Sequence, residues 1–179
     1  MSRVGKRVIL IPKDVTIDIS GNKISVKGKY GLLEREVDND IVTFNLENDQ
    51  LAIICIQTSK KANAYHGLMR ALIQNMVTGV SEQFTKTLIA QGVGYKFQIE
   101  NKQLVVNAGY SHPVNVEIPE GLTMKTESPT RLLITGIDKE KVGFIAAKVH
   151  DIRPPEPYKG KGLMYEGEKI IRKAGKTGK

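Results

Sequence analysis

Shifted by 80 residues, this chain lies on top of itself. The stretch IDISGNKISVKGKY (residues 17–30) stands above FQIENKQLVVNAGY (residues 97–110) without a gap. Apolar positions coincide at Ile17/Phe97, Ile19/Ile99, Ile24/Leu104 and Val26/Val106, and Tyr30 falls on Tyr110. Both copies alternate apolar and polar residues around a turn, GNK in one and NKQ in the other, which is the pattern of a hairpin with one buried face. Each copy then continues in the same order, with LEREV and, after the turn ENDQ, LAIICIQ in the first half, and VNVEI and, after ESPT, RLLITGI in the second. A sequence built this way must make the same supersecondary unit twice.

Each half closes on a helical pattern. In the first, Tyr65, Leu68, Met69, Leu72, Ile73, Met76, Val77 and Val80 recur at spacings of three and four, which gathers them on one helix face. Ser59 is the candidate N-cap and Gly79 lies near the expected stop. In the second, Val142, Ile145, Ala146, Val149 and Ile152 form the stripe, Asp138 is the candidate N-cap, and Pro154 bars continuation. The expectation is an α+β protein of two tandem duplicated domains, each an antiparallel sheet packed by one helix. Residues 1–82 would form the first domain and 83–179 the second, the latter ending in a basic extension over about residues 154–179.

Charge separates the halves from the end of the chain. Residues 1–82 hold 11 Lys or Arg against 9 acids, residues 83–152 hold 8 against 7, and residues 153–179 hold 8 against 3. Most of the net charge of +8 therefore sits in the last segment, which favours a polyanionic partner. That segment has three prolines and several glycines, so it reads as a flexible arm that reaches phosphates and orders on binding. A solvated terminus has the same composition, and charge alone does not separate the two. In YKGKG (residues 158–162), alternate glycines let backbone N–H groups approach an anion while lysines supply charge. Tyr158 stacks on a base or sugar in one reading and packs against the second helix in the other.

The motifs PPEPYKGKGLMYEGE, SRVGKRVILIP near the start and LIAQGVGYKF in the middle together resemble the bacterial-type large-subunit ribosomal protein L6 (uL6) family, in the expected order and over nearly the whole chain. The resemblance implies a duplicated α+β architecture and a structural, rRNA-binding role in the cytoplasmic large subunit. It implies 23S rRNA as partner, a position near the stalk base among neighbouring large-subunit proteins, and translation factors docking nearby. On it, Lys159, Lys161, Lys169, Arg172, Lys173, Lys176 and Lys179 are expected to neutralise rRNA phosphates, with Gly160 and Gly162 permitting close approach, Tyr158 beside them and Arg153 supporting the entry. The rRNA affinity would then lie mainly in the second domain and its tail. Met164 stands where the family commonly has a basic residue, and fewer terminal lysines than in some relatives are expected around KAGKTGK.

GVGYK, with Gly92, Gly94, Tyr95 and Lys96, is a second candidate surface, or else the turn that feeds the second half's first strand. Arg3, Lys6 and Arg7 add a further contact or simply keep a terminus soluble. Catalytic readings fail. GKT at residues 175–177 lacks the Walker glycine, since Ile170 stands in its place, and GVGYKF has Phe97 where a dinucleotide fingerprint needs its third glycine. Cys55, in LAIICIQ, reads as a strand residue, and a single cysteine makes no internal disulfide. His66 and His150 fall on the polar sides of the helices, His112 precedes Pro113, and the three share no metal-ligand spacing. No enzyme, metal, cofactor or small-molecule substrate is expected. Only VILI follows the first basic residues, so a chain without a signal peptide, staying where it is made, is expected. EKIIRKAGKTGK has too few bulky apolar residues for a membrane-surface helix. An RNA chaperone or regulator outside the ribosome would share the basic tail but not the full-length resemblance.

Overall fold

The computed structural model describes residues 3–47 and 49–176. It divides into two compact units, one holding the described residues up to Phe84 with Ile137–Lys139, the other Thr85–Gly136 and the described residues from Glu140. The first contains strands β1 (Ile9–Leu10), β2 (Thr16–Ser20), β3 (Lys23–Gly28), β4 (Gly31–Glu36), β5 (Val42–Glu47) and β6 (Gln50–Cys55), followed by helix α1 (Lys60–Glu82). Next come β7 (Phe84–Gln91), β8 (Lys96–Glu100), β9 (Gln103–Asn107), β10 (Val114–Glu117), β11 (Leu122–Ser128), β12 (Arg131–Gly136), α2 (Lys139–His150) and β13 (Gly162–Tyr165).

The repeat survives at the level of register. Ile17 pairs with Val26 and Ile19 with Ile24 across β2 and β3, as Phe97 pairs with Val106 and Ile99 with Leu104 across β8 and β9. Ile24, Val26, Leu104 and Val106 are buried, because period-two alternation sends them all to one face of their sheets. Asn101 and Lys102 both take positive φ (47° and 61°), the backbone that a two-residue turn needs to match the twist of its strands.

The α+β class and the duplication stand, but each half divides its strands between two sheets rather than one. The first has orders β2-β3-β4 and β1-β6-β5; the second has β10-β9-β8 and β11-β12-β7-β13. The division arises at Asp38, whose carbonyl accepts from Ile41 and Val42 and turns the chain out of the first sheet. β5 then pairs with β6, and β6 with β1 from the start of the chain. α1 packs on β3, β4 and β6, so one helix closes both sheets over a core of Ile9, Ile24, Val26, Leu51, Met69 and Ile73.

α1 starts where the cap chemistry places it: Ser59 Oγ accepts from the Ala62 N–H at 3.0 Å. Replacing Ser59 with Ala is expected to cost about 0.5–2 kcal/mol, read as a lower denaturation midpoint with unchanged native circular dichroism. Gly79 lies inside the helix, which ends three residues later; Gln83 caps it at φ 64°, with its N–H on the Gly79 carbonyl. The apolar face is also rotated from expectation. Leu68 is 53% exposed, whereas His66 is 2% exposed and sits in the inward row with Ala62, Met69 and Ile73. His66 Nε2 lies 2.8 Å from the Ile53 carbonyl, which can only accept, so Nε2 carries the proton. The sequence assignment of His66 to a polar face is therefore corrected: its backbone-bonded ring fills core space under β6.

β13 corrects the picture of a free arm. It runs antiparallel to β7, with Leu163 opposite Ala90 and Met164 opposite Ile89. Leu163 is fully buried and Met164 nearly so. This four-residue run is the strand that has no counterpart in the first unit's β1-β6-β5 sheet. It adds to the edge of β7, where its backbone donors and acceptors find partners that a free tail lacks.

Candidate nucleic-acid interface

Three layers of contact fix the segment that leads into and out of β13. First, Tyr110 Oη donates to the Ile152 carbonyl at 2.8 Å, and the Arg153 guanidinium lies over the Tyr110 ring, 5.2 Å from its centroid. Second, the Leu163 N–H donates to the Arg153 carbonyl at 2.8 Å, which ties the entry of the segment to β13. Third, the His150 ring of α2 stacks on Tyr165 with centroids 5.0 Å apart and planes 10° from parallel. His150 thus lies against β13 rather than on a polar helix face, with Nδ1 3.2 Å from Asp151 Oδ1. Burial first, and then the Asp151 and Glu168 carboxylates, raise the Tyr165 phenol above its ordinary pKa, so it stays neutral at physiological pH.

Between these anchors the KGKG segment forms a closed turn. The Glu156 N–H donates to the Lys161 carbonyl at 2.9 Å and the Gly160 N–H to the Glu156 carbonyl at 3.1 Å, which leaves Pro157, Tyr158 and Lys159 at the tip. The chain returns past this turn: the Lys173 N–H donates to the Pro157 carbonyl at 2.8 Å, and a Cβ at Gly160 would stand 3.1 Å from an Arg172 guanidinium nitrogen. Folding back brings the Arg172 guanidinium beside Gly160 and the Lys173 backbone beside the turn tip, with both residues exposed.

Gly162 does a different job from the one expected of it. Gly160 and Gly162 are both buried. At Gly162, φ is +149° and a Cβ would meet Pro155 Cα at 2.6 Å and the Pro154 oxygen at 2.7 Å. Close approach at Gly162 is made by the protein's own backbone, so the expectation that this glycine opens space for phosphate is corrected, whereas a Cβ at Gly160 would meet only the end of the Arg172 side chain.

GVGY (residues 92–95) is the loop between β7 and β8, with Lys96 opening β8, and the loop meets the KGKG turn. Val93, Tyr95, Arg153, Glu156, Tyr158, Lys159 and Lys161 line one shallow depression of about 340 Å³. Tyr95 forms its buried floor; Cβ atoms at Gly92 and Gly109 would stand 3.0 and 2.8 Å from its ring, so both glycines are needed to seat it. Gly94, at φ +78°, has open space around it. Val93 at the loop tip is 93% exposed and Tyr158 is 58% exposed.

The other candidates do not join this depression. Lys96 lines a different one, with residues of β8 and the β11–β12 turn. Lys169 and Lys176 are exposed on the returning strand of chain. Arg3, Lys6 and Arg7 are exposed residues of the first unit, and the Arg7 carbonyl accepts from Arg70 Nε. Lys179 lies outside the described residues. Two members of the depression escaped the sequence reading: Glu156, an acid between two prolines, and Val93, an apolar residue between two glycines that packing would not leave in water. Among the described residues no group of His, Cys, Asp or Glu could hold a metal ion, and no helix is long and apolar enough to cross a membrane.

The family model described as Ribosomal protein L6 matches residues 11–83 and 91–166, one segment in each copy of the repeat. Among curated proteins, the large ribosomal subunit protein uL6 of Synechococcus sp. (strain CC9605) is 49% identical over 180 residues, covering 100% of this chain and 99% of the relative. That of Staphylococcus carnosus (strain TM300) is 51% identical over 179 residues, with 100% of both chains covered.

Proposed function

This chain belongs to the ribosomal protein L6 family, and we propose that within the large subunit it holds 23S rRNA through its second unit. Membership makes it a structural component of the large ribosomal subunit, at work in the cytoplasm, and not an enzyme. The observation that carries the finer reading is the closed KGKG turn: Arg153, Lys159 and Lys161 lie around one depression, and Arg172 and Lys173 return beside it. Phosphate contacts of this kind fix register and orientation without reading sequence, so specificity comes from RNA shape.

Residues 1–82 and 83–179 act as separate domains in this reading. The first carries a near-balanced charge and contributes less to rRNA affinity, through Arg3, Lys6 and Arg7 at most. The second sits near the stalk base, among neighbouring large-subunit proteins and close to docking translation factors. The test is equilibrium binding of the intact chain to a large-subunit rRNA fragment over a range of salt. Five phosphate contacts give a slope of log K against log salt of roughly −4. The triple variant Arg3→Ala, Lys6→Ala, Arg7→Ala should keep most of that slope. A slope near zero for the intact chain, or one lost in the triple variant, would overturn the reading.

A further inference from the structure

We infer that the depression between the KGKG turn and the GVG loop takes one unpaired nucleotide whose base carries an exocyclic amino group. This rests on the rRNA-binding reading above and adds what the site recognises. A clamp for phosphates alone needs cations, and three of the lining residues do not suit that task. Tyr158 stands exposed at the tip of a turn closed by two backbone hydrogen bonds, and among the described residues its ring and hydroxyl have no partner. Val93 presents an apolar side chain at the opposing loop tip, almost wholly in water. An aromatic face and an aliphatic wall around one hollow suit a planar, apolar-faced guest, which a base is and a phosphate is not.

Glu156 is the third. Its carboxylate has no hydrogen bond or ion pair among the described residues, yet it lines the same hollow as Arg153, Lys159 and Lys161. Against phosphates an acid there subtracts from affinity. Against a base it accepts from an amino group, which cytosine, adenine and guanine carry and uracil lacks. The three cations then hold the phosphates on either side of the inserted nucleotide. In an A-form duplex the bases are stacked and the major groove is too narrow for side chains, so only a bulged, looped or terminal nucleotide can enter.

The test uses the intact chain, a large-subunit rRNA transcript, and reagents that modify the Watson–Crick edges of unpaired bases. One unpaired adenine, cytosine or guanine should be protected by the wild-type chain and exposed again with Tyr158→Ala. That variant should bind about five- to a hundred-fold more weakly with an unchanged salt slope, while Tyr158→Phe should bind as wild type. Glu156→Ala discriminates by sign: it weakens binding if the carboxylate meets a base and tightens it if the carboxylate only repels phosphate. Tighter binding by Glu156→Ala, or an unaltered protection pattern with Tyr158→Ala, would overturn the inference and leave the phosphate clamp standing. Failure of the intact chain to bind the transcript would instead remove the clamp itself.

Discussion

Replacing Leu163 with alanine is expected to lower the stability of the second unit by about 2–5 kcal/mol, the range for emptying a leucine site in a packed core. The side chain is fully buried, and its backbone is held from both sides, by register with Ala90 of β7 and by its N–H on the Arg153 carbonyl. Neither side can follow a retreating side chain without breaking those bonds, so collapse of the cavity is limited and the upper part of the range is expected. Urea denaturation should give a lower midpoint with an unchanged slope, and amide exchange should quicken in β7. A midpoint within error of the wild type would mean that β13 rests on the sheet without supporting it. The consequence reaches past stability. Cutting the chain after Pro154 removes β13 along with the lysines, so a loss of RNA binding in that truncation would not distinguish a missing contact from a damaged sheet.

How β13 escaped notice explains what was legible in this sequence. The hairpins of both halves announce themselves through alternation, and the two copies reinforce each other, so their buried faces are legible from the residues alone. GLMY offers four residues with no alternation, buried on three of them, after a run of glycines and lysines that reads as solvent-exposed. A short strand that joins an existing edge needs little signal of its own, because its partner supplies the ladder. His66 was misplaced for a related reason. Its position, four after Ala62 and three before Met69, is that of a core residue, but a polar ring on the inward row is legible only once the Ile53 carbonyl is known to stand opposite. At the candidate interface the cations could be found by counting charge. The pairing of GVGYK with KGKG could not, because the residues are some sixty positions apart in the chain and meet only when β13 adds to β7.

The second large effect should come from the charge that this folding concentrates. The quadruple variant Lys159→Ala, Lys161→Ala, Arg172→Ala, Lys173→Ala removes four exposed cations around the turn while leaving Leu163, Gly160 and Gly162 in place. Each phosphate contact contributes about 0.7–0.9 to the slope of log K against log salt, so the slope should fall by about 3. At about 0.1 M salt that corresponds to roughly a thousand-fold weaker binding to a large-subunit rRNA fragment, with the two curves converging as salt approaches about 1 M. Convergence separates this effect from misfolding, which would weaken binding equally at all salt concentrations. Stability should move little, since exposed lysines and arginines without ion pairs contribute less than about 1 kcal/mol each. If the quadruple variant kept the wild-type slope, the basic segment would be a solvated edge of the second unit. The cations that hold rRNA would then have to be sought elsewhere, first at Lys96 and the depression it lines with residues of the β11–β12 turn.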